Sequence, residues 1–285
     1  MKVVKKVVLP VAGLGTRLIP ITKELPKEML PIFIKGDANN IFVKPVVQVI
    51  FEQLYEVGIR NFCFIVGRNK RVIEDYFTSD YEFIKLLKER NKANLAMPLE
   101  DFYNKIKSST IVFVNQPVPQ GFGDAVLRAY PFINKDIFMV HAGDDIILSE
   151  DNQHLQRLED AFIKYNADVA FLLERVDNPE MYGVVVGKEM DDGVFLVSDI
   201  LEKPKEPPTN IAVIAVYIFK ESIFDALNTI EVRSGELQLT DAIRYLLLEQ
   251  KRKVVGVFLR DDEERIDIGT VDSYFHSLKR ILDMS

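Results

Sequence analysis

The chain has 285 residues, 48% hydrophobic and 28% charged, enough to bury a sizeable core as one large α/β domain or as a domain carrying a smaller lobe. No uncharged apolar run approaches the ~18 residues a spanning helix needs, and the N-terminal apolar stretch is too short for a signal h-region, so no membrane association is expected. A formal net charge of −7 excludes broad nucleic-acid binding, and a lone cysteine, Cys63, excludes an internal disulfide or a cysteine-built metal site and suits a reducing cytoplasm.

Apolar runs rich in β-branched residues alternate with helix-period segments over most of the length. That is the pattern of repeated βα units feeding a doubly wound, mainly parallel sheet. In chain order, strands are expected at residues 3–10, 61–66, 110–114 and 137–141, with an amphipathic helix over 45–57 closed by Gly58. Residues 1–150 thus read as a nucleotide-binding half. Within it, residues 78–109 are charged and helical in flavour and are expected to be an insertion outside the sheet. From Asn166 the character changes. Segments 169–173, 183–186, 194–201 and 211–219 read as strands of a small mixed extension, the middle two joined by Asp191-Asp192-Gly193. A helix (239–250), a strand (254–259) and a helix (270–284) complete a second half, 166–285. Cys63 between Phe62 and Phe64 reads as a buried strand residue. His141 reads as structural, His154 and His276 as helix surface, and Asp261-Asp262-Glu263-Glu264 as a solvated loop.

The first strand leads into Gly13-Leu14-Gly15-Thr16-Arg17. Glycines let backbone N–H groups approach phosphate oxygens, but Gly-x-Gly alone also describes a plain strand-to-helix turn. A dinucleotide fingerprint would need glycine where Leu18 stands, and the Gly-Lys-Ser/Thr of a P-loop is absent. Instead Arg17 follows the loop directly and Lys27 comes ten residues later behind Pro26. Two cations aimed back at one loop suit a triphosphate. Asp144 follows an apolar strand, at the carboxyl end where open α/β sheets bind ligands, and a hard Mg²⁺ ligand belongs there. Asp145 reads equally as a turn-forming neighbour or as a ligand.

Gly-x-Gly-Thr-Arg followed by Pro26-Lys27-Glu28-Met29-Leu30-Pro31 resembles the signature of sugar-1-phosphate nucleotidyltransferases, in the version found in bacterial-type UTP–glucose-1-phosphate uridylyltransferases. The resemblance continues through Gln116-Pro117, Gly121-Phe122-Gly123-Asp124, Gly143-Asp144-Asp145, Tyr182-Gly183, Glu202-Lys203-Pro204 and Glu236-Leu237-Gln238-Leu239-Thr240-Asp241, along nearly the whole chain. It implies a Rossmann-like, GT-A-like mixed sheet in a single domain, and in-line attack of a sugar phosphate on the α-phosphorus of UTP, with Mg²⁺. It assigns Arg17, Lys27 and Lys203 to catalysis and Ala12, Gly13, Gly15, Thr16, Glu28, Gln116 and Gly121 to the nucleotide. Gly183, Glu202 and Lys203 go to the sugar phosphate, and Asp144 and Asp267 to the metal. Gln116 is expected to offer the base both a donor and an acceptor. Glu236 and Asp241 either line the sugar side or cap a helix. The nucleophile is already an anion, so the difficulty is charge. Two unit charges ~4 Å apart repel by about 1 kcal/mol in water and about 4 kcal/mol at an effective dielectric near 20, so cations and positioning should carry the catalysis.

Three departures stand out. Residues 33–43 intervene before the next expected motif, Ala215 stands where a glycine is often found near the sugar pocket, and 78–109 match weakly. A homodimer or homotetramer is expected, with dTTP in place of UTP as the rival substrate and a non-catalytic nucleotide-sugar-binding subunit as the rival class.

Overall fold

The computed structural model describes residues 3–35, 41–190, 192–232 and 235–283. Residues 36–40 of the intervening loop, Asp191 of the expected turn and the end of the expected last helix lie outside them. The strands are β1 (Lys6–Pro10), β2 (Pro31–Lys35), β3 (Ile41–Pro45), β4 (Asn61–Val66), β5 (Thr110–Asn115), β6 (Phe138–His141), β7 (Asp145–Leu148), β8 (Val169–Arg175), β9 (Gly183–Glu189), β10 (Val194–Glu202), β11 (Ile211–Phe219), β12 (Val254–Phe258) and β13 (Glu264–Asp267). Helices α1 (Val46–Glu56), α2 (Arg71–Tyr76), α3 (Tyr81–Glu89), α4 (Ala93–Lys107), α5 (Phe122–Arg128) and α6 (Tyr130–Ile133) fill the crossovers of the first half. α7 (Gln153–Lys164) lies between the two halves in sequence, and the second half carries α8 (Ser222–Thr229), α9 (Leu239–Leu248) and α10 (Val271–Asp283). None of the described helices is long and apolar enough to cross a membrane.

Nine strands form one sheet in the order β5-β4-β1-β6-β11-β8-β12-β10-β9. β5, β4, β1 and β6 are mutually parallel, as are β12 and β8. β11 runs antiparallel to both β6 and β8, and β10 antiparallel to both β12 and β9. The sheet is therefore mixed, with only β11 and β10 running against the other seven strands. A short turn between β9 and β10 permits only antiparallel pairing, whereas each parallel pair of the first half needs a long helical crossover. Because β11 sits between β6 and β8, both halves share one continuous sheet.

The central strands are buried on both faces. Val7, Leu9, Phe62 and Phe64 point into one apolar layer, and Val8, Cys63 and Ile65 into the other. Burial pushes the Cys63 thiol up to about 12, so it is an inert core group. Residues 78–109 add no strand before β5, as expected, yet they belong to the core. Phe102 on α4 packs edge-on against Phe51 and Phe77, with ring centroids 5.9 and 5.5 Å away.

Other expectations need correction. β1 begins at Lys6 rather than at Val3, because the N–H groups of Val3 and Val4 donate to Glu159 Oε1 at 2.6 and 3.0 Å instead of to a strand. His154 is fully buried, not on the surface, and its Nδ1 pairs with Ser149 Oγ at 2.5 Å. The 261–264 run is not all solvated. Glu263 is held by both terminal nitrogens of Arg157 at 2.6 Å, and Glu264 opens β13. His141 is buried with Nδ1 against Ala142 O, while His276 is exposed, both as read from the sequence.

The strand order reverses between β1 and β6, opening a crevice beyond their carboxyl ends. The glycine loop leaves β1 there, and Gly143-Asp144 leaves β6 beside it.

Candidate active site

A cleft of about 440 Å³ is lined by the loop from Ala12 to Arg17, by Lys27, Glu28 and Asp144, and by Gln116 and Gly121. Every nucleotide residue anticipated from the sequence borders this one space, together with Arg17 and Lys27. A larger hollow of about 750 Å³ lies between α7 and the β9–β10 hairpin. It is lined by ion pairs such as Arg157–Glu263 and Lys164–Asp192 and holds none of the motif residues, so size does not identify the site.

The loop owes its shape to Gly15, whose φ of 63° and ψ of 26° place it in the left-handed region that side chains disfavour. Thr22 Oγ1 and Leu18 N both donate to Gly15 O, at 2.7 and 2.9 Å, and lock the turn. Lys27 reaches back as expected: its Nζ lies 4.0 Å from where a Cβ on Gly13 would stand, and it forms an ion pair with Asp144. Burial opposes the Lys27 charge, but Asp144 and Glu28 hold its pKa above the ordinary lysine value. Burial would likewise raise Asp144, yet Lys27, Arg265 and Arg17 keep its carboxyl below the usual carboxylate range. Glu28 is 1% exposed, with its carboxylate bound by the buried Lys70 at 2.9 Å. Burial nonetheless pushes the Glu28 pKa up. Lys70 was not anticipated; nothing local marks it as the partner of a residue forty-two positions away.

Asp144 and Asp267 approach through a two-stranded ladder in which Asp145 of β7 pairs with Asp267 of β13 and Ile268 N donates to Asp144 O at 3.3 Å. Burial, Asp145 and Asp144 raise the Asp267 pKa above its ordinary value, against the opposing pull of Arg265. Arg17 Nη2 and Asp267 Oδ1 come to the same side of Gly269, 3.5 and 2.8 Å from the place of a Cβ there. Asp145 is neither turn former nor free ligand. It accepts Arg265 Nε and Nη2 at 2.9 and 3.0 Å, and that guanidinium also lies 5.2 Å from the Tyr182 ring centroid. Arg265 was missed, although its position two before Asp267 on a strand puts it on the same face.

Gln116 is 4% exposed, and its Nε2 donates to Asp124 Oδ2 at 2.7 Å and to Gly121 O at 3.2 Å. The expectation that its amide offers a base both donor and acceptor is thereby corrected: both hydrogens are taken internally. Gly121 has φ 99°, and a Cβ there would meet Leu237 O at 2.8 Å, so only glycine lets the chain pass.

Gly183, Glu202 and Lys203 form a separate cluster that does not line this cleft. Glu202 Oε2 accepts from Thr240 Oγ1 at 2.6 Å, and a Cβ on Gly183 would touch Thr240 Cγ2 at 3.0 Å. Lys203 N donates to Tyr182 O at 3.0 Å; the Lys203 side chain is 62% exposed, its Nζ 3.6 Å from Glu202 Oε1. Glu236 borders the cleft, whereas Asp241 falls in the first turn of α9.

The family profile for nucleotidyl transferases matches residues 5–284. A UTP–glucose-1-phosphate uridylyltransferase of Bacillus subtilis (strain 168) is 39% identical over 247 residues, covering 85% of this chain and 79% of the relative. A UDP-glucose pyrophosphorylase solved with UDP-glucose superposes at a TM-score of 0.83 with 31% identity, covering 99% of this chain and all of that one. A UTP-bound enzyme of the same kind from Acinetobacter baumannii superposes at 0.81 with 27% identity, covering 97% of this chain and 93% of that one.

Proposed function

The chain belongs to the nucleotidyl transferase family, and from that premise we propose that it transfers the uridylyl group of UTP to glucose 1-phosphate, yielding UDP-glucose and pyrophosphate. The observation that carries the reading is the single cleft gathering a glycine loop, Arg17, Lys27, Asp144 and Gln116. An anionic nucleophile needs no general base, and none of the three histidines lines the cleft. The backbone of residues 12–16 and the Arg17 and Lys27 cations hold the triphosphate, and the same cations offset charge as pyrophosphate leaves. Lys203 and Glu202 orient glucose 1-phosphate through its phosphate and hydroxyls. Residues 1–150 act as a doubly wound nucleotide-binding half, and 166–285 serve the sugar phosphate.

Mg²⁺ fits the residues present. Asp144 and Asp267 are hard oxygen donors, and a cation would favour the charged form of Asp267, which burial, Asp145 and Asp144 oppose. No cluster of three or more such ligands occurs among the described residues, so an ion held there would need substrate phosphates or water to complete its coordination. When bound, it would neutralise phosphate charge between the substrates.

The test is pyrophosphate release over a matrix of UTP, dTTP, CTP and ATP against several sugar 1-phosphates with Mg²⁺. The pair of UTP and glucose 1-phosphate should be turned over best; no release from any pair would refute the assignment.

A further inference from the structure

We propose that Asp124 is a positioning residue that sets base selectivity by fixing which end of the Gln116 amide can meet the pyrimidine, an inference that rests on the nucleotidyl-transfer reading. A primary amide carries two N–H donors and one carbonyl acceptor. Gln116 spends both donors inside the protein, at 2.7 Å on Asp124 Oδ2 and at 3.2 Å on Gly121 O. Turned over, its Oε1 would face a carboxylate and a carbonyl oxygen, two contacts between acceptors in a buried place. Gln116 is 4% and Asp124 9% exposed, so water cannot relieve such contacts cheaply.

Asp124 is itself held. Its Oδ2 also accepts Arg128 Nε at 2.8 Å, one turn along α5, so the carboxylate keeps its place. A neutral side chain with its own donor would leave the amide free to turn. An ionised carboxylate has no donor and admits one orientation.

What Gln116 can still offer to a base is therefore Oε1, an acceptor. Uracil and thymine present N3–H and satisfy it. Cytosine has a lone pair at N3 and would set acceptor against acceptor. Selection against cytosine thus lies in the carboxylate behind the amide, which need not touch the nucleotide. A glutamine without Asp124 would be held only by the longer contact to Gly121 O, at 3.2 Å, and would turn towards either base more readily.

The test uses the full chain with Asp124→Asn, an isosteric change that introduces a donor, Asp124→Ser as a second route to losing the carboxylate, and Asp124→Glu as the conservative variant. Two readouts are taken: kcat/KM for UTP and CTP with glucose 1-phosphate and Mg²⁺, and equilibrium titration of each nucleotide without the sugar phosphate. One buried mispaired acceptor implies about a 10- to 100-fold preference for UTP over CTP in the wild type. In Asp124→Asn and Asp124→Ser that ratio should fall about tenfold, through KM and nucleotide affinity, with the KM for glucose 1-phosphate unchanged. Asp124→Glu should retain the ratio within about twofold. Equal losses for UTP and CTP, in kinetics and titration alike, would overturn the proposal by reducing Asp124 to a structural role. A wild type that binds UTP over CTP but releases no pyrophosphate would sink the transfer reading instead, and the titrations would still decide the role of Asp124.

Discussion

Replacing Arg265 with methionine should both destabilise the fold and loosen the ladder that carries the two aspartates assigned to Mg²⁺. Arg265 and Asp145 side chains are 10% and 6% exposed, and two hydrogen bonds of 2.9 and 3.0 Å join them. Methionine fills similar volume but strands the Asp145 carboxylate out of water, a change that typically costs about 3–5 kcal/mol. Loss of the guanidinium over Tyr182 removes a smaller amount, about 0.5–2 kcal/mol. Against the roughly 5–15 kcal/mol of a typical domain, this is a large fraction. Urea unfolding at pH 7.5 measures it. Because the penalty is that of an unpaired charge, the double variant Arg265→Met/Asp145→Leu should be more stable than Arg265→Met alone. Asp145 and Asp267 are paired across β7 and β13, so the Mg²⁺ concentration for half-maximal rate should also rise in the single variant. A cost below ~1 kcal/mol for Arg265→Met, or strictly additive effects of the two changes, would refute the reasoning.

Two further outcomes are expected. Lys203→Ala should raise the KM for glucose 1-phosphate at least about tenfold while leaving UTP affinity and Tm nearly unchanged, since exposed ion pairs such as its contact with Glu202 add little stability; comparable losses for both substrates in titrations would remove its role. Burial holds the His154 imidazole down at about 3 against an ordinary 6.5, and its Nε2 is buried without a partner. The unfolded chain therefore takes up a proton that the folded one refuses, and stability falls as the pH drops from 6.5 towards 3. By linkage this one group should account for about 2 kcal/mol lost between pH 7 and pH 5, a loss absent from His154→Gln in urea titrations at both pH values. Parallel losses in the two proteins would show that His154 does not titrate this way.

The glycine loop, Arg17 and Asp144 were legible in the amino-acid sequence because each follows a short apolar strand, where the local pattern marks the turn into a loop; Lys27 was read from its place behind Pro26, and Gln116 from the family resemblance. A continuous apolar run likewise marked Phe62 to Ile65 as strand. Such signals stop at orientation and pairing. The antiparallel β11 between β6 and β8, which joins the two halves into one mixed sheet, is a choice among partners that an apolar run cannot rank. Asp261 to Glu264 looks solvated until Arg157, more than a hundred residues earlier, claims Glu263. His154 has a polar helix around it and becomes a core residue only by the way α7 packs. The chemistry of the cleft divides in the same way. Sequence alone brought forward most of the groups that line the cleft, though not Lys70 or Arg265 behind them. Tertiary structure decided what each has left to give, since a donor already spent on Asp124, or a carboxylate already held by Arg265, is set by neighbours that only folding brings within hydrogen-bonding distance.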